Sequence, residues 1–254
     1  MSNFKQRFIG DRAFYKMILL IAFPILIQNG ITNFVSLLDN IMVGQLGTEQ
    51  MSGVAIVNQL INVFNICIFG AVSGASIFSA QFFGQGNHEG VRNTFRFKLV
   101  CCVLITGIWI AIFLAGGSEL MMLFLHDTGS GDVAMTHDAG MNYLYVMLIG
   151  LLPYTFTQIY ASTLRETGET ILPMIAGIIA VLVNLCFNYL LIFGNFGFPN
   201  WGIVGAAVAT VLSRFCEMGI VIVWTHMNRE RNIFIQGVYR HFKIPGNLVG
   251  QIIR

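Results

Sequence analysis

The chain has 254 residues, of which 56% are apolar and only 10% charged, with a formal net charge of +2. A soluble domain carries about 25% charged residues, and the mean hydropathy here is +0.72. A soluble globule is therefore excluded, as is a nucleic-acid partner, which needs a strong basic field; the chain is an integral membrane protein.

A helix crossing the hydrocarbon needs about 20 mostly apolar residues. Six such runs are expected, at 14–38, 53–79, 97–117, 139–162, 171–194 and 202–226. They predict an all-α membrane bundle with a tail at 1–13, a six-helix lobe at 14–226 and a basic segment at 227–254. The basic N-terminus precedes an apolar run too long for a signal peptide, which points to an uncleaved first span. On that span Gln28, Thr32, Ser36 and Asp39 recur at helical spacing, with Asn29, Asn33 and Asn40 beside them. Pro24 interrupts the same run and removes a backbone hydrogen bond, which predicts a helix bend.

The second span carries Asn58, Asn62 and Asn65 in line, and the third has no comparable stripe, which makes it the candidate lipid-facing helix. The fourth aligns Tyr154, Gln158 and Ser162, and the fifth places Asn184 and Asn188 one turn apart. In the sixth, Arg214 and Glu217 stand three residues apart, a spacing that allows an intramembrane ion pair on one face. Single amides can act as interhelical glue worth about 0.6 kcal/mol each. Four stripes and a carboxylate together point to a shared polar cavity, with Tyr154 placed to offer its ring to a cation.

Five cysteines lie in apolar runs without CxxC spacing, so buried, inert thiols are expected rather than disulfides or a structural metal site. Lys and Arg gather in the N-tail, the second–third and fourth–fifth connections and the segment after 226, while the alternate connections hold none. Since basic loops stay on the cytoplasmic side, both termini are expected in the cytoplasm of a multi-pass cell-membrane protein.

Several runs resemble one family in order along the chain. FPILIQNGITNFVSLLDNIMVGQLG (Phe23 to Gly47) resembles the first helix of multidrug and toxic compound extrusion (MATE) transporters. QFFGQG (Gln81 to Gly86) and LRETGETILPM (Leu164 to Met174) are similar to its later connections. NLCFNYLLIFGNFGFPNWGIVGAAVAT (Asn184 to Thr210) is similar to its fifth–sixth hairpin. The resemblance implies H⁺- or Na⁺-coupled efflux of organic, cationic compounds by alternating access, with no cofactor and no catalytic residue. It implies cation coupling at Asp39, Asn184, Asn188 and Thr210; the family's second acid, followed by proline, is replaced here by Asn188–Tyr189. It also implies a second six-helix lobe, so the chain is expected to be a piece of a longer transporter or a half-transporter that pairs with a second copy.

The alternatives are a flippase or an exporter of polysaccharide or lipid precursors from the same broad superfamily. Their anionic cargo calls for several cations in the cavity, against the single Arg214. More remote is an intramembrane aspartyl protease, to which GSGD (Gly129 to Asp132) corresponds in string but not in context. The two His–Asp pairs, His126–Asp127 and His137–Asp138, are expected on one flexible outer loop.

Overall fold

A computed structural model describes residues 12–125, 132–239 and 246–253. The far N-terminal basic residues Lys5 and Arg7, the first His–Asp pair and most of GSGD lie outside them. Among the described residues all regular structure is helical: α1 (Arg12–Gly44), α2 (Thr48–Gly84), α3 (His88–Leu125), α4 (Val133–Ile149), α5 (Leu151–Glu166), α6 (Ile171–Phe193), α7 (Gly202–Met227) and α8 (Gly246–Ile253), with short 3-10 turns at Asn195–Gly197 and Ile233–Ile235. By length and apolar composition α2, α3, α6 and α7 can each cross a membrane, and α4 with α5 forms a fifth crossing bent by 45°. With α1, 33 residues long, the helices fall on the six apolar runs. The result is a six-span, all-α membrane lobe.

The fourth run is one span in sequence but two helices in space. Its cause is local: Pro153 has no N–H to give the carbonyl of Ile149, and its ring crowds that carbonyl. The chain bends at Gly150, which closes α4 and opens α5. Pro24, by contrast, lies within the continuous helix α1. Helix α4 also starts earlier than the apolar run, because the Asp132 side chain accepts from the backbone N–H groups of Ala134 and Met135 and caps it. His137–Asp138 therefore stands on a helix, not on a loop.

Lipid is as apolar as leucine, so helices in a bilayer associate by close packing rather than by hydrophobic exclusion. Two contacts show this. A Cβ on Gly53 of α2 would sit 2.7 Å from the Thr136 carbonyl oxygen of α4, and one on Gly205 of α7 would sit 2.5 Å from the Leu191 carbonyl of α6. Only glycine lets these backbones touch. Helices α6 and α7 make the most extensive pair, and α1 leans mainly on α6. The interior is filled by Phe64, Phe95, Phe113, Met121, Leu144 and Ile159, while Phe69, Leu104, Ile108 and Leu123 turn outward. Among α2, α3, α6 and α7, helix α3 has the smallest buried share of its most apolar stretch, 22%, in keeping with its missing polar stripe. Of the cysteines only Cys102 is buried; Cys67 and Cys186 are exposed, because their positions fall on the outward faces of α2 and α6.

The basic connections meet at one end of the bundle. Lys98 of α3, with no exposed side-chain surface, pairs with Glu166 at the end of α5 at 2.6 Å and also donates to Ser162 and Thr163. Arg96 reaches the segment after α7, donating to the carbonyls of Gly237 and Val238 at 2.8 and 2.9 Å. Arg231 pairs with Glu169 at 2.7 Å, and Phe234 packs on Phe95. This segment is thereby fastened to the lobe.

Candidate functional site

Asp39 stands on α1 one turn before the helix ends, where the polar stripe of that helix meets α6 and α7. Asn188 of α6 donates through Nδ2 to Asp39 Oδ1 at 2.7 Å. One helical turn earlier, the Asn184 amide lies 2.8 and 3.1 Å from the two Asp39 oxygens and 3.2 Å from Thr210 Oγ1 of α7. With its nitrogen toward Asp39, Asn184 donates to the carboxylate and accepts from Thr210 Oγ1 and the Thr210 N–H. The four residues implied by the resemblance thus meet in one hydrogen-bonded cluster joining three helices.

The cluster opens on a cavity of about 260 Å³ whose lining includes Ser36, Asp39, Asn40, Asn58, Tyr143, Asn188, Thr210 and Arg214. Larger hollows of 730 and 910 Å³ lie at the basic end of the bundle, and neither contains Asp39. Of the stripe residues, Ser36 and Asn58 line the cavity. Asn29, Thr32 and Asn33 of α1 and Asn62 of α2 are exposed on the outside of the lobe. Gln28 is half-buried, donates to the Pro173 carbonyl at 3.4 Å and accepts from Arg165. Asn65 keeps its Oδ1 buried without a partner, and Gln158 is half-buried away from the cavity lining.

Arg214 departs from expectation. Among the described residues the Lys and Arg ion pairs join Lys98 to Glu166 and Arg231 to Glu169, and none joins Arg214 to Glu217. Instead Arg214 Nη1 donates to the Gly150 carbonyl at 3.2 Å, and the guanidinium lies 5.2 Å from the centre of the Tyr154 ring. The reason is the break in the fourth span: the carbonyl at the end of α4 carries partial negative charge and draws a cation. Glu217 lies within electrostatic reach of both Arg165 and Arg214. The ring of Tyr154 therefore has an internal cation as its partner. Tyr143, which sequence reading passed over, donates to Asn58 at 3.4 Å and lies within reach of both Asp39 and Arg214. Standing two residues from Tyr145 in an apolar run, it offers no helical-period signal.

Apolar spans packed around a polar, charge-lined cavity are the build of a helical membrane carrier. Comparison with known proteins agrees. The MatE family model matches residues 24–190, and the chain belongs to that family. A relative in Thermotoga maritima, the probable multidrug resistance protein NorM, is 30% identical over 81% of this chain and 43% of its own length. The probable multidrug resistance protein YoeA of Bacillus subtilis is 27% identical over 91% of this chain and 49% of its own. Among solved structures, the outward-facing conformation of a multidrug resistance MATE family transporter of the MOP superfamily shares the fold. Its TM-score is 0.81, at 21% identity over 94% of this chain and 50% of that one. An inward-facing conformation of such a transporter gives a TM-score of 0.74 at 20% identity, over 94% and 51%. The chain spans about half the length of the curated relatives it matches.

Proposed function

We propose that this chain is one lobe of a multidrug efflux transporter, a secondary carrier and not an enzyme, in which Asp39 couples an inward cation gradient to the outward passage of organic compounds bearing a cationic group. The observation that carries this reading is the Asp39–Asn184–Asn188–Thr210 cluster, a single carboxylate bridging three helices at the wall of a cavity. Protonation removes the charge that holds the Asn184 and Asn188 amides. The two states favour different positions of α1 against α6 and α7, so a gradient shifts the population between them. Of the two coupling ions, a proton suits the site better. A sodium ion takes a shell of oxygens, whereas Asn188 presents its nitrogen to the carboxylate.

The exposed amides Asn29, Asn33 and Asn62 add a second support. Polar groups facing hydrocarbon cost several kcal/mol each, so this face is placed against a second six-helix lobe, on a separate stretch of chain or a second copy, with the pathway between them. The basic end faces the cytoplasm of the cell membrane. The test is efflux of a fluorescent organic cation from proteoliposomes holding this chain with a second lobe, under an imposed pH or Na⁺ gradient. A pH gradient is expected to drive efflux, and Asp39→Asn to abolish the dependence. Normal gradient-driven transport by Asp39→Asn would overturn the assignment.

A further inference from the structure

We infer that the cavity beside Asp39 is built for a ligand carrying both charges, a compact zwitterion whose anionic group meets Arg214 while its cation meets Asp39. The inference rests on the transport reading above and narrows the cargo. Asp39 of α1 and Arg214 of α7 line the same hollow, yet they are not paired with each other. Arg214 forms no ion pair with Glu217 either, and Glu217 is shared electrostatically with Arg165.

A guanidinium has five N–H donors, and Arg214 commits one nitrogen to a protein acceptor, the Gly150 carbonyl. Its face rests on Tyr154. The remaining donors belong to a side chain that borders open space, and carboxylates and phosphates match that fork. A ligand with a cation alone would satisfy Asp39 but bring a like charge toward Arg214 on the same wall. A ligand with both charges satisfies both walls. Tyr143 lines the same hollow and adds a hydroxyl beside the two charges. The volume agrees: 260 Å³ has room for about nine waters at ~30 Å³ each, enough for a small ring with two polar ends.

The probes are three matched compounds: para-aminomethylbenzoic acid, a zwitterion; its methyl ester, a cation; and its N-acetyl derivative, an anion. Binding of each to the purified full chain in neutral detergent is measured by equilibrium dialysis at pH 7. The zwitterion is expected to bind about tenfold more tightly than the ester, a difference of 1.4 kcal/mol. Arg214→Gln is expected to erase that preference and leave the ester no weaker, and Arg214→Lys to restore part of it. The comparison within the native chain stands even if Arg214→Gln does not fold. An ester that binds as tightly as the zwitterion overturns the inference, as does absence of binding by all three. Should gradient-driven efflux persist in either case, the transport reading survives and only the cargo assignment fails. Phospholipid headgroups with an ammonium and a phosphate share this chemistry. Displacement of the probe by lysophosphatidylethanolamine assigns the dipole to lipid, and no displacement assigns it to soluble compounds.

Discussion

Removing one partner of the buried pair at the basic end has a calculable cost. Lys98 has 0% side-chain exposure and Glu166 9%; the ammonium touches both carboxylate oxygens, at 2.6 and 2.8 Å, and two hydroxyls at 3.1 and 3.3 Å. Glu166→Ala leaves a buried cation facing only neutral hydroxyls, which costs about 3–5 kcal/mol. Lys98→Met costs less, since the orphaned Glu166 stands nearer the surface and recovers some hydration. The double variant Lys98→Met with Glu166→Leu removes both charges and fills the space, so it loses about 1 kcal/mol or less, because apolar replacement of a buried pair is often neutral. The assay is unfolding in mixed micelles with increasing dodecyl sulfate, followed by the fluorescence of Trp109, Trp201 and Trp224. A double variant as unstable as Glu166→Ala, or a Glu166→Ala variant within 1 kcal/mol of native, would refute the reasoning.

Three further outcomes are expected. Arg96→Ala removes charge-assisted bonds to the Gly237 and Val238 carbonyls, each worth about 1.5–3 kcal/mol. Amide exchange at 233–239 should quicken while the spanning helices keep their protection; unchanged exchange there would count against the fastening. Gly53→Ala forces a Cβ to within 2.7 Å of the Thr136 carbonyl and should destabilise the lobe by about 1–3 kcal/mol. Gly116→Ala, with nothing within 4 Å, should be neutral or stabilise by up to about 1 kcal/mol, and equal losses in the two variants would remove the packing argument. Asn188→Leu deletes the 2.7 Å donor to Asp39 and favours the uncharged acid. The pH at which gradient-driven efflux is half-maximal should therefore move upward, and an unmoved profile would show that the amide does not act on the carboxylate.

Much of the fold was legible along the chain because a bilayer imposes a one-dimensional rule. Backbone polar groups must be satisfied within each crossing segment, so long apolar runs become helices whatever surrounds them. The alternation of basic and non-basic connections was legible for a similar reason, and in space the basic ones gather at one end through the contacts of Arg96, Lys98 and Arg231. Asp39, Asn184, Asn188 and Thr210 were placed by resemblance, and periodicity could say only that the first three stood on polar stripes. Convergence is a matter of distance between helices, and spacing along one helix carries no information about it. Hence Ser36 and Asn58 face the cavity while Asn29 and Asn62, on the same stripes, face outward.

The composition by itself determined that this is a membrane protein of a few spans, and the hydropathy pattern determined where they lie. Tertiary structure decided the partners of the charges. Lys98 reads as a loop lysine until α5 brings Glu166 against it, and Arg214 reads as half of an i, i+3 pair until the bend at Gly150 exposes a carbonyl to it. Pro153 was visible in the sequence throughout. Its effect on Arg214 requires two helices to pack, because a charge in a medium without water takes the nearest dipole that geometry provides, and geometry between segments is settled only when they meet.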